Sequence, residues 1–330
     1  MNTWLVTGGA GYIGAHVVRE LIDQGIDVVI LDDFSAGLRS RIPEGVPVVE
    51  ADVSNSEAVQ NALRGFNVTG VIHLAAKKAA GESVDMPLFY YRENVAGLVS
   101  MLESMQVVGV KNFVYSSSAA VYGTPRSNPV SEDEPLLPES PYGETKVIGE
   151  WLSRDLAKSS GMNWVALRYF NVAGAAADEL GDNSVNNLIP MVFRALENGQ
   201  RPQIFGDDYS TPDGTCIRDY IHVQDLAAAH VAAVDLCERG NSSTDVTSDA
   251  TVGIAVNVGR GQGVSVREVM DVVSEVIGRN VNAEVVGRRD GDPAETYANV
   301  DLSHHVLGWR ASKDLSAMVS SAWSAWQSVH

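Results

Sequence analysis

The stretch "TGGAGYIG", residues 7–14, decides how the chain is read. It follows the strand-like run "TWLV" and opens a helical pattern from Tyr12 to Gln24. Gly8, Gly11 and Gly14 stand at GxxGxxG spacing. Glycine permits a tight strand-to-helix turn and lets backbone N–H groups approach a pyrophosphate. The helix that follows offers the positive end of its dipole to the same anion. A ligand-free glycine turn would look alike in isolation. The strand before it and the helix after it are the context that a dinucleotide fingerprint requires. Asp32 ends the second apolar run, where a carboxylate can accept hydrogen bonds from ribose hydroxyls. It would repel a 2′-phosphate, so NAD is favoured over NADP. Asp32 could equally cap the next turn, and its neighbour Asp33 shares that ambiguity. Asp52 closes the third run in "AD", where turn chemistry explains an acid equally well.

Outward from this loop, short apolar runs alternate with helical patterns: "DVVILDD", "VPVVEAD", "GVIHLAA", "NFVYSSS" and "WVALRYFNV". Strands buried on both faces read this way. The alternation predicts an α/β fold, a Rossmann-type doubly wound parallel sheet. Helices are expected over 87–106 and 142–158. Beyond about Asn171 loops lengthen and strands thin out. We expect an NAD-binding unit over 1–172 and a smaller mixed α/β substrate unit over 173–330, with a helix at about 224–239 packing back onto the first. The polar stretch 241–253 reads as an exposed loop.

The 330 residues suffice for both units. A formal charge of −18 argues against a nucleic-acid binder, which needs clustered Lys and Arg. Cys216 and Cys237 lack any CxxC spacing, so neither a zinc site nor a disulfide framework is expected, and a reducing, cytoplasmic location is. The strand-like run at Thr3 leaves no room for a signal peptide, and no apolar run is long enough to span a membrane.

A second motif carries chemistry. "SPYGETK", residues 140–146, places Tyr142 and Lys146 at i and i+4, stacked on one helix face. A nearby ammonium favours a phenolate, as does an oxidised nicotinamide ring. The fifth strand-like run ends in "SSSAAVYG", which points Ser118 into the crevice where ligands bind in such sheets. Together these make a general base for neutral pH. Alone, the pair could be surface residues on an exposed helix.

The segments "VTGGAGYIGAHV", "KKAAGESV", "ENVAG", "NFVYSSSAAVYG", "SPYGETK", "LRYFNVAGA", "NNLIPMV", "FGDDYSTPDGTCIRDYIHVQDLA" and "GRRDGDPAETYANVD" cover nearly the whole chain. In them it resembles the extended short-chain dehydrogenase/reductase family, in the branch that inverts C4 of UDP-glucose and UDP-galactose. The resemblance implies tightly held NAD and catalysis by Ser118, Tyr142 and Lys146. Cofactor contacts are implied at Gly8, Gly11, Tyr12, Ile13, Gly14, Asp32, Asp52, Val53, Leu74, Ala75, Lys78, Asn94, Ser116 and Phe170, besides Tyr142 and Lys146. For the UDP-sugar it implies Ser118, Tyr142, Asn171, Asn187, Leu188, Gln203, Ile204, Phe205, Arg218, Arg289, Asp292 and Thr296. Without it, Arg218, Arg289 and Lys78 would read as surface cations. A homodimer joined by cofactor-domain helices is also implied.

Two positions depart from the pattern. Ala120 stands where many relatives carry threonine. Thr296 is small where a bulky tyrosine restricts relatives to UDP-hexoses, which suggests tolerance of UDP-N-acetylhexosamines unless Tyr297 fills the space. Other chemistries on the scaffold, 4,6-dehydration or decarboxylation, need an acid–base pair where this chain has Ala119 and Ala120. A non-catalytic NAD sensor would not retain Ser118, Tyr142 and Lys146.

Overall fold

The computed structural model describes residues 2–184, 187–240, 251–289 and 291–329. Its strands are β1 (Thr3–Thr7), β2 (Asp27–Asp32), β3 (Val48–Glu50), β4 (Val68–His73), β5 (Asn112–Ser118), β6 (Asn163–Tyr169), β7 (Asn171–Ala173), β8 (Gln203–Phe205), β9 (Ile217–His222), β10 (Gly253–Val258), β11 (Gly263–Ser265), β12 (Glu284–Val286) and β13 (Glu295–Thr296). A seven-stranded parallel sheet runs β10-β6-β5-β4-β1-β2-β3. Chain order reverses about β1, between β4 and β2. In open α/β sheets ligands bind outside the carboxyl ends of the strands at that switch point.

The helices are α1 (Tyr12–Asp23), α2 (Ser56–Gly65), α3 (Ala80–Asp85), α4 (Pro87–Tyr90), α5 (Gly97–Val108), α6 (Pro141–Ser160), α7 (Leu188–Glu197), α8 (Val223–Arg239), α9 (Val266–Ile277), α10 (Asp301–Leu307) and α11 (Leu315–Val329). Helices α1, α8 and α10 cover one face of the sheet and α2, α5 and α6 the other, because successive strand residues point opposite ways. Val6, Ile30, Ile72 and Val114 pack with Val17 and Leu21 of α1 and Leu226 and Ala233 of α8. Their neighbours Leu5, Val29, Val71 and Phe113 pack on the other face with Leu63 of α2 and Met101 of α5. A third apolar cluster joins α7, α9 and α11 to β8 and β9, around Phe193, Val269 and Met318.

Three local readings change. The helix expected over 87–106 is interrupted by a π-helical turn, Tyr91–Ala96, between α4 and α5. The third strand stops at Glu50, and Asp52 lies in a turn, its Oδ1 accepting from Ser54 N–H at 2.7 Å. The sheet also takes β10 from far along the chain, beyond the helix expected to return. Of the stretch 241–253, residues 241–250 lie outside the described residues, and β10 begins at Gly253.

Candidate active site

The glycine turn is close-packed. Gly8 has φ +69°, and a Cβ there would sit 3.0 Å from Ala75 N. A Cβ on Gly14 would sit 2.1 Å from the Gly8 carbonyl. Gly11 caps α1 without a side chain, so the first-turn N–H groups are left for an anion. Tyr12 turns its hydroxyl away, donating to Gly174 O at 2.6 Å, and Ile13 packs against the core. Asp32 is buried, with Oδ2 accepting from Ala10 N–H at 2.9 Å and Oδ1 from Phe34 N–H at 2.8 Å. These bonds fix the carboxyl group beside the turn, where its oxygens can also accept from ribose hydroxyls. The cradle and this acid fit a dinucleotide.

The floor of the cradle is tied down by Thr7, whose Oγ1 accepts from Leu74 and Ala75 N–H, both at 3.2 Å. Asn94, in the π turn, brackets the next residues. Its Oδ1 accepts from Lys77 N–H at 2.8 Å, and its Nδ2 donates to Lys77 O at 2.9 Å and Thr145 Oγ1 at 3.1 Å. Asn94 therefore acts on Lys77, whereas the expected Lys78 is exposed. Asp52 is exposed as well, and Val53 packs under Gly97.

Helix α6 begins where its sequence dictates. Ser140 caps it, accepting from Gly143 N–H at 3.2 Å, and Pro141 occupies the first turn. Ser83 of α3 supplies a second cap, accepting the Tyr142 N–H at 3.1 Å while donating to Ala80 O at 2.5 Å. Tyr142 thus faces the end of β5, with Ser118 close enough to its phenol to favour the ionised form. Lys146 is 3% exposed and donates to Ser116 O at 2.7 Å. Its ammonium lies 5.8 Å from the Tyr142 ring centre and 5.2 Å from that of Tyr115. Ser116 Oγ bonds the Tyr169 hydroxyl, and Phe170 is half-buried beside Val121 and Tyr122.

Electrostatics depart from the simple expectation. Burial pushes the Tyr142 phenol up, and the neighbouring Ser118 hydroxyl pulls it back only in part. Burial pushes Lys146 down to about 7, against the attraction of Glu150. Desolvation therefore outweighs the mutual help of phenol and ammonium.

Two further residues at this helix were not singled out in the sequence. Glu150, the next residue on the Tyr142–Lys146 face, is gripped by Arg168 of β6, Nε to Oε1 at 2.8 Å and Nη2 to Oε2 at 2.6 Å. Ser117 donates to Oε1 at 2.5 Å. The i+4 spacing could have flagged Glu150. Arg168 arrives through strand register, opposite Ser117, which spacing along the chain does not reveal.

A cleft of about 980 Å³ opens between β7, α7, β8 and β9. Asn171, Asn187, Leu188, Gln203, Phe205, Arg218, Arg289 and Asp292 line it, as do the unforeseen Cys216, Tyr220 and Arg194. Arg289 lies 3.8 Å over the Phe205 ring, and Arg218 reaches Asp292 at 3.4 Å. Asn187 donates to Asp182 at 2.6 Å. Ile204 departs from the expected set: strand alternation turns it into the core, 3% exposed. Thr296 is buried beside Arg218 in strand register, its hydroxyl without a hydrogen-bond partner among the described residues.

Residues 4–259 match the sequence pattern of one family, described as "NAD dependent epimerase/dehydratase family". The chain belongs to the NAD dependent epimerase/dehydratase family. A UDP-glucose 4-epimerase of Azospirillum brasilense is 45% identical over 326 residues, 97% of this chain and 90% of that protein. A crystal structure of UDP-glucose 4-epimerase from Brucella ovis in complex with NAD superposes with TM-score 0.91 at 39% identity, covering 98% of this chain and 97% of that one. One from Stenotrophomonas maltophila, with bound NAD and formylated UDP-arabinopyranose, gives TM-score 0.92 at 36% identity over 100% and 99% of the two chains. In this epimerase/dehydratase chain no described helix is long and apolar enough to cross a membrane.

Proposed function

We propose that the protein is a UDP-glucose 4-epimerase, interconverting UDP-glucose and UDP-galactose with NAD retained between turnovers. The carrying observation is the convergence of Ser118, Tyr142 and Lys146 at the end of β5. They stand beside a glycine cradle in a chain that also forms an arginine-lined cleft. Gly8, Gly11, Gly14 and Asp32 would hold NAD, with Leu74, Ala75 and Ser116 flanking it. Held there, NAD would supply a hydride acceptor and donor for C4 of the sugar, and its positive ring would favour the phenolate.

The chain's own residues handle the proton. Tyr142 Oη takes it from the 4-hydroxyl and gives it back, and Ser118 Oγ holds the same oxygen. Lys146 is the protein's own cation beneath the phenol, so ionising Tyr142 leaves the buried pair neutral. The 4-keto sugar must turn over between the two hydride transfers, which calls for few rigid sugar contacts. Binding energy is therefore concentrated on UDP. Arg218 and Arg289 meet the diphosphate with forked donors, Asp292 the uridine ribose, and Gln203 and Phe205 the uracil. In this reading the first sheet with its helices carries NAD and the cleft beyond β6 carries the UDP-sugar. Elimination lacks its acid–base pair, since Ala119 and Ala120 form the turn after Ser118.

Thr296 is small where a bulky side chain restricts relatives to UDP-hexoses, so UDP-N-acetylglucosamine is proposed as a further substrate. Leu88, Val107 and Trp151 expose large apolar surface on the neighbouring helices α4, α5 and α6. A second copy is their proposed partner, and molar mass by light scattering decides it. The two cysteines are free and buried, which supports a cytoplasmic location. Incubation with UDP-galactose tests the central reading. UDP-glucose is expected, with stoichiometric NAD in a denatured extract; a dehydrated keto sugar, or no product, would overturn it.

A further inference from the structure

The four-residue periodicity of α6 does not end at Lys146. Tyr142, Lys146 and Glu150 form one stripe facing β5 and β6, and Glu150 is 4% exposed. An acid so deeply buried needs a partner. Arg168 supplies it with two parallel N–H···O bonds, at 2.8 Å and 2.6 Å, and Ser117 adds a third donor. Arg168 is held in turn by the Tyr122 hydroxyl, to which its Nη1 donates at 2.9 Å. Tyr122 then donates to Asn257 of β10 at 2.6 Å. The pair is thus locked on both sides.

Around the Lys146 ammonium stand Tyr142 and Glu150 of its own helix, Tyr115 of β5 and His73 of β4; from β6, Arg168 grips Glu150 and Tyr169 lies beside Tyr142. Before NAD adds its own positive charge, burial keeps the tyrosines protonated, and it pushes His73 down to about 3, so these are neutral at pH 7. Glu150 is then the one anion of the set, and Arg168 the one cation besides Lys146. We propose that Glu150 and Arg168 are positioning residues for the Tyr142–Lys146 pair: the carboxylate favours the protonated Lys146 ammonium beneath the phenol, and the guanidinium fastened to it limits how strongly it does so. Removing either member unbalances the stripe, and the two removals act in opposite senses. Loss of Glu150 removes the anion that favours the protonated Lys146, which lets a proton off it. Loss of Arg168 leaves Glu150 uncompensated, which holds the proton on.

This rests on the epimerase reading only for the use made of Tyr142; the charge balance itself is measurable without sugar. Lysine side-chain NMR on the purified protein follows the Lys146 Nζ resonance with pH, assigned by its absence in Lys146→Met. The Nζ midpoint is expected to fall by on the order of one unit in Glu150→Gln and to rise by a similar amount in Arg168→Met. The high-pH limb of turnover should move the same way in each. Unchanged midpoints, or shifts of the same sign in both variants, would overturn the proposal and assign the pair to scaffolding. Should one variant fail to fold, the sign of the other decides alone. Absence of turnover in the parent protein would strike the epimerase reading and leave the NMR result standing.

Discussion

His230 offers a stringent test of the electrostatics. It is fully buried in α8, with Nδ1 2.9 Å from Leu226 O and Nε2 without a hydrogen-bond partner among the described residues. Burial pushes it from its ordinary 6.5 down to about 4. A proton taken up on the ring would put an unpaired charge in an apolar layer, so the native state resists it while the unfolded chain does not. The stability this represents is intact above 6.5, is lost as pH falls toward 4, and levels off below that. At pH 5 the unfolded residue lies about 1.5 units inside its protonated range, and the native one is still neutral. At about 1.4 kcal/mol per unit the loss is about 2 kcal/mol relative to neutral pH. His16 and His222 at about 4 and His73 at about 3 add losses of the same sign, and Asp219, raised to about 6, opposes them. A difference between variants isolates the one residue. His230→Leu keeps the volume and removes the titration. Urea unfolding followed by circular dichroism at pH 7 and pH 5 should show the variant losing about 2 kcal/mol less than the parent between the two conditions. Equal losses would refute the claim that this ring is held neutral by burial.

Other outcomes follow from the site. Tyr142→Phe keeps the ring and removes the base, so turnover of UDP-galactose should fall by about 10²–10⁴-fold with NAD content unchanged. Arg218→Leu removes a charge-assisted contact worth about 1.5–3 kcal/mol, and KM for UDP-galactose should rise roughly 10- to 100-fold while kcat changes less. Gly149→Ala places a Cβ 2.1 Å from the Tyr115 hydroxyl in the packing of α6 on the sheet. That overpacking should cost about 1–3 kcal/mol and lower Tm.

Much of the fold was legible because it is local. The turn at Gly8, Gly11 and Gly14 announces itself between a strand and a helix, and continuous runs such as "VVIL" announce strands covered on both faces. Ser118, Tyr142 and Lys146 were readable because two share a helix period and the third ends a strand. What escaped depends on pairings distant in sequence. Arg168 meets Glu150 through strand register, Ser83 caps Tyr142 from another helix, and β10 joins the sheet from beyond α8. Ile204 was grouped with its neighbours, although alternation turns it inward. Asp52 closed an apolar run but serves a turn. The reach of Lys146 over Tyr142 was overrated because composition carries no measure of desolvation, which here dominates both groups.

The return of β10 to the sheet bears on how the protein can be cut. Val256 and Val258 cover the same layer as Val165 and Leu167, and β10 pairs with β6 from Trp164 to Tyr169. A fragment ending near residue 172 would carry the glycine turn and the tyrosine yet present a raw, sticky flank to solvent. Such a half should precipitate when expressed alone and be rescued by co-expressing the remainder, which makes the two halves a natural split-protein pair and not two independent modules.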